Sequence, residues 1–236
     1  RKITLTKEGI LFKRRAEEIL SLINITEEEI ARDSQELEGT ITIGGGELKT
    51  VDYVCEKMAE FQKLYPKVFF NFNTTTSDII KDQMDKGLLD IGILLEPIEI
   101  DRYDYFRLPV TENWCAIIHP DSNLAKKDFI EPSDLLNENI ILPRRNNIKN
   151  ELSSWFGKDI TKLNIVATHN LNSNTAVMVS KNVGTALTIE TELINSFYGI
   201  KVFKLKPELT ARTVIAWKKN IPMNSATTRF IEFLRE

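Results

Sequence analysis

Four short segments carry the side chains with which this sequence could hold a small molecule. Gly44-Gly45-Gly46-Glu47-Leu48-Lys49-Thr50 runs from glycines, which let a ligand come close to the backbone, into a helix start whose N–H groups favour an anion. It lacks the Gly-Lys-Ser/Thr ending of a nucleotide phosphate loop, so a small anion or an ordinary turn fits it. Thr74-Thr75-Thr76-Ser77 offers a row of hydroxyls, usable as ligand donors or as turn and capping groups. Arg144 and Arg145 follow Pro143; guanidinium forks suit carboxylate or phosphate, and two solvated loop arginines are the alternative. Asn172-Ser173-Asn174-Thr175 places amide and hydroxyl groups before another helix. Covalent and metal chemistry have less to work with. His119 and His169 stand without a paired nucleophile or metal cluster and read as structural or surface groups. Cys55 and Cys115 have no CxxC or Cys/His spacing and read as two buried, reduced thiols, a redox-sensing pair being the alternative. No Ser/His/Asp or Cys/His arrangement supports catalysis, so neither an enzyme nor a cofactor is expected.

The elements that must position these groups alternate. Thr6 is a plausible N-cap for a long helix to about Leu37, with a capping box at Thr26 and Glu29 where it can break and restart. In it Ala16, Ile23, Ile30 and Leu37 fall seven apart, and Phe12 and Ile19 supply the other seam position. That is a partial heptad, fit for helix pairing or for packing on its own domain. Then come strand Thr40–Ile43, helix Thr50–Tyr65 stopped by Pro66, strand Val68–Asn73, a helix from Ser77 to Lys86 and the apolar strand Asp90–Leu95. Continuous apolar strands between helices point to a parallel sheet covered on both faces. A second series of similar design follows: strand Trp114–Ile118, strand Ile140–Leu142, helix Lys149–Phe156, strand Asn164–Thr168, helix Asn174–Ser180 and strand Thr185–Ile189. Val202–Leu205 and Thr213–Trp217 read as returning strands, and Ser225–Arg235 as a final amphipathic helix. Two such modules with a chain crossing between them form a hinged pair with a cleft.

Composition narrows the partners. The chain of 236 residues is 42% hydrophobic and 28% charged, with a formal net charge of −3, which fits a globular body and not a phosphate-binding one. Residues 1–15 differ, carrying Arg1, Lys2, Lys7, Lys13, Arg14 and Arg15 against Glu8 alone, so an anionic partner fits there. No run reaches 18 apolar residues and the N-terminus has no apolar leader core, so a cytoplasmic protein without membrane contact is expected.

Several segments resemble, in order along the chain, motifs of LysR-type transcriptional regulators. Arg1-Lys2-Ile3-Thr4-Leu5-Thr6-Lys7-Glu8-Gly9 looks like the end of the wing and the "LTxxG" start of the linker helix. Gly39–Gly44 resembles the first effector-domain strand, Phe61–Pro66 the "FxxxYP" helix ending and Gly87–Ile93 the "GxLDxxI" element. His119–Ala125 is similar to "HPLA", departing at Asp121, Ser122 and Asn123, and Val179–Gly184 to "VxxGxGI", with Asn182 in place of the first Gly. Trp217–Asn220 and Phe230–Leu234 match the C-terminal strand and helix.

The resemblance implies an α/β fold of two Rossmann-like subdomains, of the periplasmic-binding-protein type II kind, preceded by a long linker helix. It divides the chain into a wing remnant (1–6), a linker and dimerisation helix (7–38), subdomain I (40–109 plus 214–236) and subdomain II (110–213), with the winged helix-turn-helix ahead of Arg1. It implies operator DNA as a partner through that domain, and homodimers or tetramers. Phe12, Ala16, Ile19, Ile23 and Ile30 are then the pairing residues, and Arg1 and Lys2 candidate phosphate contacts. A small, anionic inducer would sit in the cleft near Gly46, Leu48, Lys49, Thr50, Thr75, Thr76, Arg144, Arg145, Asn174 and Thr175. Gly46 and Leu48 stand where relatives often carry a hydroxyl, so Lys49 or Thr50 would substitute. A solute-binding protein of a transporter would share the two-lobed fold; the leading helix and the lack of a leader core speak against it.

Overall fold

A computed structural model describes the protein over residues 6–30, 37–98, 101–144, 146–157, 160 and 163–236, and the side chains among them apart from those at 7, 24–30 and 146–149. Helix α1 (Lys7–Ile30) leads; Thr6 caps it, its hydroxyl accepting from Gly9 N at 3.1 Å. The helix runs unbroken through the Thr26 and Glu29 capping-box motif, and residues 31–36, over which it was expected to continue, lie outside the described residues. Its apolar side chains are uncovered: Phe12 is 76% exposed, Ile19 58% and Ile23 47%.

The body is a mixed sheet with helices on both faces. Its first half holds β1 (Glu38–Gly45), β2 (Lys67–Thr74) and β3 (Ile91–Leu95), all parallel, alternating with α2 (Thr50–Leu64) and α3 (Ser77–Asp85). Every residue of β3 is buried, as expected for an apolar strand with pairing on both sides. The long strand β4 (Tyr103–Ile118) then leaves this half for the second, and β9 (Thr210–Lys218) returns. Both run antiparallel to their neighbours, so the sheet as a whole is mixed, while the strands that alternate with helices are parallel as expected. The β4–β9 register shifts between Arg107 and Thr111, around Pro109, which has no N–H to give to a ladder. Beyond that shift lie β5 (Ile140–Pro143), α4 (Asn146–Phe156), β6 (Ile165–His169), α5 (Asn172–Ser180), β7 (Thr185–Ile189), the short α6 (Glu192–Asn195) and β8 (Lys201–Lys204). The strand order is β2-β1-β3-β9-β4-β7-β5-β6, with β8 beside β4, and α7 (Ser225–Phe233) closes the chain against the first half.

Each half is packed on both faces. On one face of the first half, α2 and α7 meet through Phe61, whose ring lies 4.7 Å from Tyr65 and 5.1 Å from Phe230. On the other face α3 brings Ile80 and Met84 onto β3, β4 and β9. In the second half, Trp114, Leu142, Leu152, Phe156 and Leu187 form one core, and Cys115, Ile141, Ala176 and Ile194 the other. Leu48, in the turn after β1, touches the cores of both halves.

Close approach explains two glycines that were read as making room for a ligand. A Cβ at Gly44 would lie 2.5 Å from Leu89 Cδ1, and one at Gly45 2.9 Å from Phe72 Cζ. They admit the packing of α3 and β2, not a bound molecule. The Asn182 departure also has a reason: its φ is +58°, a conformation that asparagine tolerates better than most residues in place of glycine. The thiols correct the expectation of two buried cysteines, since Cys55 is exposed on α2. Cys115 is buried, which pushes its thiol far above the ordinary range.

Candidate functional site

A cavity of about 480 Å³ lies where the two halves face each other. From the first half it is bounded by Gly46, Glu47 and Leu48 of the β1–α2 turn, by Thr75 to Asp78 around the start of α3, and by Leu95. From the second half come Trp114, Pro143, Arg144, His169 to Asn172, Thr188 and Ile189. Most of these lie at the carboxyl ends of parallel strands, where α/β sheets expose helix N-termini and bind ligands.

Of the helix N-termini around this region, those of α2 and α5 are already filled by the protein's own carboxylates. The fully buried Glu112 of β4 accepts from the backbone N–H groups of Lys49 and Thr50, both at 2.9 Å, and from the Thr50 and Thr213 hydroxyls, the latter at 3.2 Å. These hydrogen bonds pin the start of α2 to the crossing strand. The half-buried Glu47 reaches across to α5, accepting from the backbone N–H of Asn172 and from that of Ser173 at 3.0 Å. The Asn172 amide donates back to the Glu47 carbonyl at 3.3 Å and to Ile189 O at 3.2 Å, while the Thr188 hydroxyl donates to its Oδ1. The start of α3 differs. Thr76 precedes it in extended conformation without a side-chain capping bond, and Thr75, Thr76 and Ser77 line the cavity. The capping alternative for this threonine row is therefore not used.

Two buried polar atoms of the lining want partners. Among the described residues, Trp114 Nε1 and His169 Nδ1 make no hydrogen bond, although Trp114 is 3% exposed and His169 8%. His169 Nε2 lies 3.1 Å from Leu187 O; a carbonyl can only accept, so Nε2 carries the proton and Nδ1 is left as an acceptor. Burial lowers the pKa of this imidazole, which keeps it neutral, against smaller opposing effects of that hydrogen bond and of the Glu47 charge. The lining thus offers hydroxyls at Thr75 to Ser77, the exposed Arg144 and apolar walls from Leu48, Leu95 and Ile189, and two of its residues, Trp114 and His169, each carry a buried polar atom without a partner among the described residues.

The expected site residues divide. Gly46, Leu48, Thr75, Thr76 and Arg144 come together around the cavity. Lys49 and Thr50 do not line it: Lys49 is exposed, and Thr50 is buried with its hydroxyl on Glu112 and Thr213. Neither substitutes for the missing hydroxyl of the turn. Asn174 is exposed, and Thr175 is buried with its hydroxyl on Leu171 O at 2.8 Å; α5 begins at Asn172, two residues earlier than expected, which turns both away from the lining. Arg145, Arg1 and Lys2 lie outside the described residues, as does the side chain of Ile30. Glu47 and Asn172 lie in two of the segments expected to hold the ligand but were not singled out there, Trp114 and Thr188 were missed, and His169 was set aside as structural or surface. The signals available were Glu47 inside the glycine turn and Trp114 at the head of an apolar strand.

Comparison with known proteins gives this geometry a setting. The profile of the LysR substrate binding domain family matches residues 34–236. The HTH-type transcriptional regulator YtlI of Bacillus subtilis is 24% identical over 208 residues, covering 86% of this chain and 66% of YtlI. A second HTH-type transcriptional regulator, MJ0300 of Methanocaldococcus jannaschii, is 26% identical over 195 residues, 81% of this chain and 64% of its own length. The chain thus spans just under two thirds of these relatives, which are named as regulators and not as enzymes. Among solved structures, the effector binding domain of QuiR in complex with shikimate superposes with a TM-score of 0.73 at 20% identity, over 84% of this chain and 96% of that one.

Proposed function

This chain belongs to the LysR substrate binding domain family, and on that basis we propose that it is the effector-sensing and oligomerising part of a cytoplasmic DNA-binding transcriptional regulator. It takes a small organic acid into the cavity between its two halves and performs no catalysis there. The division into subdomain I (40–109 plus 214–236) and subdomain II (110–213) is the mechanical unit: among the described residues the sheet joins the two halves through the crossing strands β4 and β9 alone, so a molecule bound between them biases their angle. α1 pairs with its equivalent in a second copy and passes that angle to a DNA-reading domain ahead of it.

The observation that carries this reading is the cavity between the halves, lined by Thr75 to Ser77 and the exposed Arg144, with Trp114 and His169 of the same lining each carrying a buried, unpaired polar atom. A buried polar atom left unpaired costs about 1–3 kcal/mol, and a ligand bearing an acceptor and a hydroxyl would recover that. Shikimate, held by the similar domain of QuiR, is a hydroxylated acid of this kind. The transporter reading has no observation of its own here.

The test is a thermal-shift screen of small hydroxy acids on the whole chain, repeated with Arg144→Ala. The expected result is a stabilising acid whose shift falls by more than half in the variant, equivalent to losing a charge-assisted contact of about 1.5–3 kcal/mol. An identical shift in both proteins would remove Arg144 from the site.

A further inference from the structure

We propose that the N-terminus of α5 is a carboxylate-binding site which Glu47 occupies in this structure, so that an acidic effector enters it only by expelling Glu47. The proposal deepens the sensing reading above and rests on it for the identity of the competitor.

The two internal carboxylates of this region are built differently. Glu112 is fully buried, holds four donors and sits on a strand paired through the sheet. Removing it would orphan buried donors on two elements, so it is a fixed part of the fold. Glu47 is half-buried, holds two backbone donors of another element, and sits in the turn that follows Gly44, Gly45 and Gly46. Its withdrawal would uncover the two N–H groups at the start of α5, where Asn172 lines the cavity, for an incoming carboxylate to take in its place.

Two further residues of the same lining carry polar atoms that Glu47 does not satisfy. His169 Nδ1 and Trp114 Nε1, both in the same lining and both on residues more than nine-tenths buried, have no partner among the described residues while Glu47 is in place. Glu47 therefore satisfies α5 and leaves the surrounding lining unsatisfied. A free acid would take the α5 N–H groups and bring further hydrogen-bonding groups to that lining. Because Glu47 also ties the first half of the sheet to the second, exchanging it for a free carboxylate removes one covalently tethered link between the halves. That exchange is the switch.

A tethered carboxylate competes as if present at a millimolar or higher concentration. Acetate, which has the head group without the tether, serves as the probe. Acetate is titrated into the whole chain, into Glu47→Ala and into Glu47→Gln at constant ionic strength, with chloride as the matched anion. Backbone amide resonances of Asn172 and Ser173 report occupancy. In Glu47→Ala these two amides should shift with acetate and not with chloride, at concentrations about tenfold or more below those needed in the wild type. Glu47→Gln, which keeps the length and one oxygen acceptor, should fall between the two. Should Glu47→Ala fail to fold, the wild type and Glu47→Gln still decide the matter by the same order of affinities. Equal acetate affinity in all the proteins, or acetate shifts that bypass Asn172 and Ser173 in the variants, would overturn the proposal. The experiment uses neither DNA nor effector, so its failure would leave the sensing reading standing, and an unresponsive Arg144→Ala would leave this one standing.

Discussion

His169 gives the protein a pH dependence of definite sign. Burial holds its imidazole neutral, with a pKa below the ordinary value of about 6.5. Between the folded-state pKa and about 6.5 the unfolded chain binds more protons, so stability rises with pH in that window and is lost as pH falls below about 6.5. Denaturant titrations of the wild type at pH 7.5 and 5.5 should show that loss, at most about 1.4 kcal/mol for each pH unit inside the window. His169→Gln, whose amide can still donate to Leu187 O, should lose less. Equal losses in the two proteins would mean that the ring titrates as freely folded as unfolded. His169, Glu47 and Trp114 also mark where sequence reading stopped at this scale. Glu47 meets Asn172 and Ser173 across 125 and 126 positions, and Glu112 meets Lys49 and Thr50 across 63 and 62. No local pattern encodes such pairings, whereas Arg144 and the Thr75–Thr76 hydroxyls were visible because a strand end and a helix start lie next to each other in the chain.

At the scale of elements, periodicity served best where one environment surrounds a whole segment. Ile91–Leu95 and Thr185–Ile189 are apolar or small throughout and buried throughout, and both were legible. β4 was cut short because Asp104, Arg107 and Pro109 break the pattern of a strand that is exposed on alternate residues before it enters the second core. α1 poses the open question of what covers it. Phe12, Ile19 and Ile23 are exposed in a single chain, and Ala16 between them is half-buried. Placing a charge in a paired apolar seam costs the pair several kcal/mol unless the charge finds a partner. Ile23→Asp should therefore weaken self-association at least about tenfold in sedimentation equilibrium, a change of about 1.4 kcal/mol. An unchanged association constant would move the dimer contact to the α/β body.

At the scale of the molecule, the sheet does two jobs. Its edges carry the packed cores, and its middle, β4 and β9, is the sole β-sheet connection between the halves among the described residues. Around that middle the protein places a cavity, two internal carboxylates of unequal permanence, and the Leu48 side chain that touches both cores. On the proposed reading, a ligand bound there would act on the angle between the halves with little change inside either one, because each half is packed on both faces and resists deformation.

That account is tested most directly by a crystal structure of the chain with the tightest acid from the thermal-shift screen. The account predicts the acid between the halves, within hydrogen-bond distance of Trp114 Nε1 and His169 Nδ1, with each half superposing on its unliganded form. An acid bound on an outer face, with those two atoms still unpartnered, would contradict it.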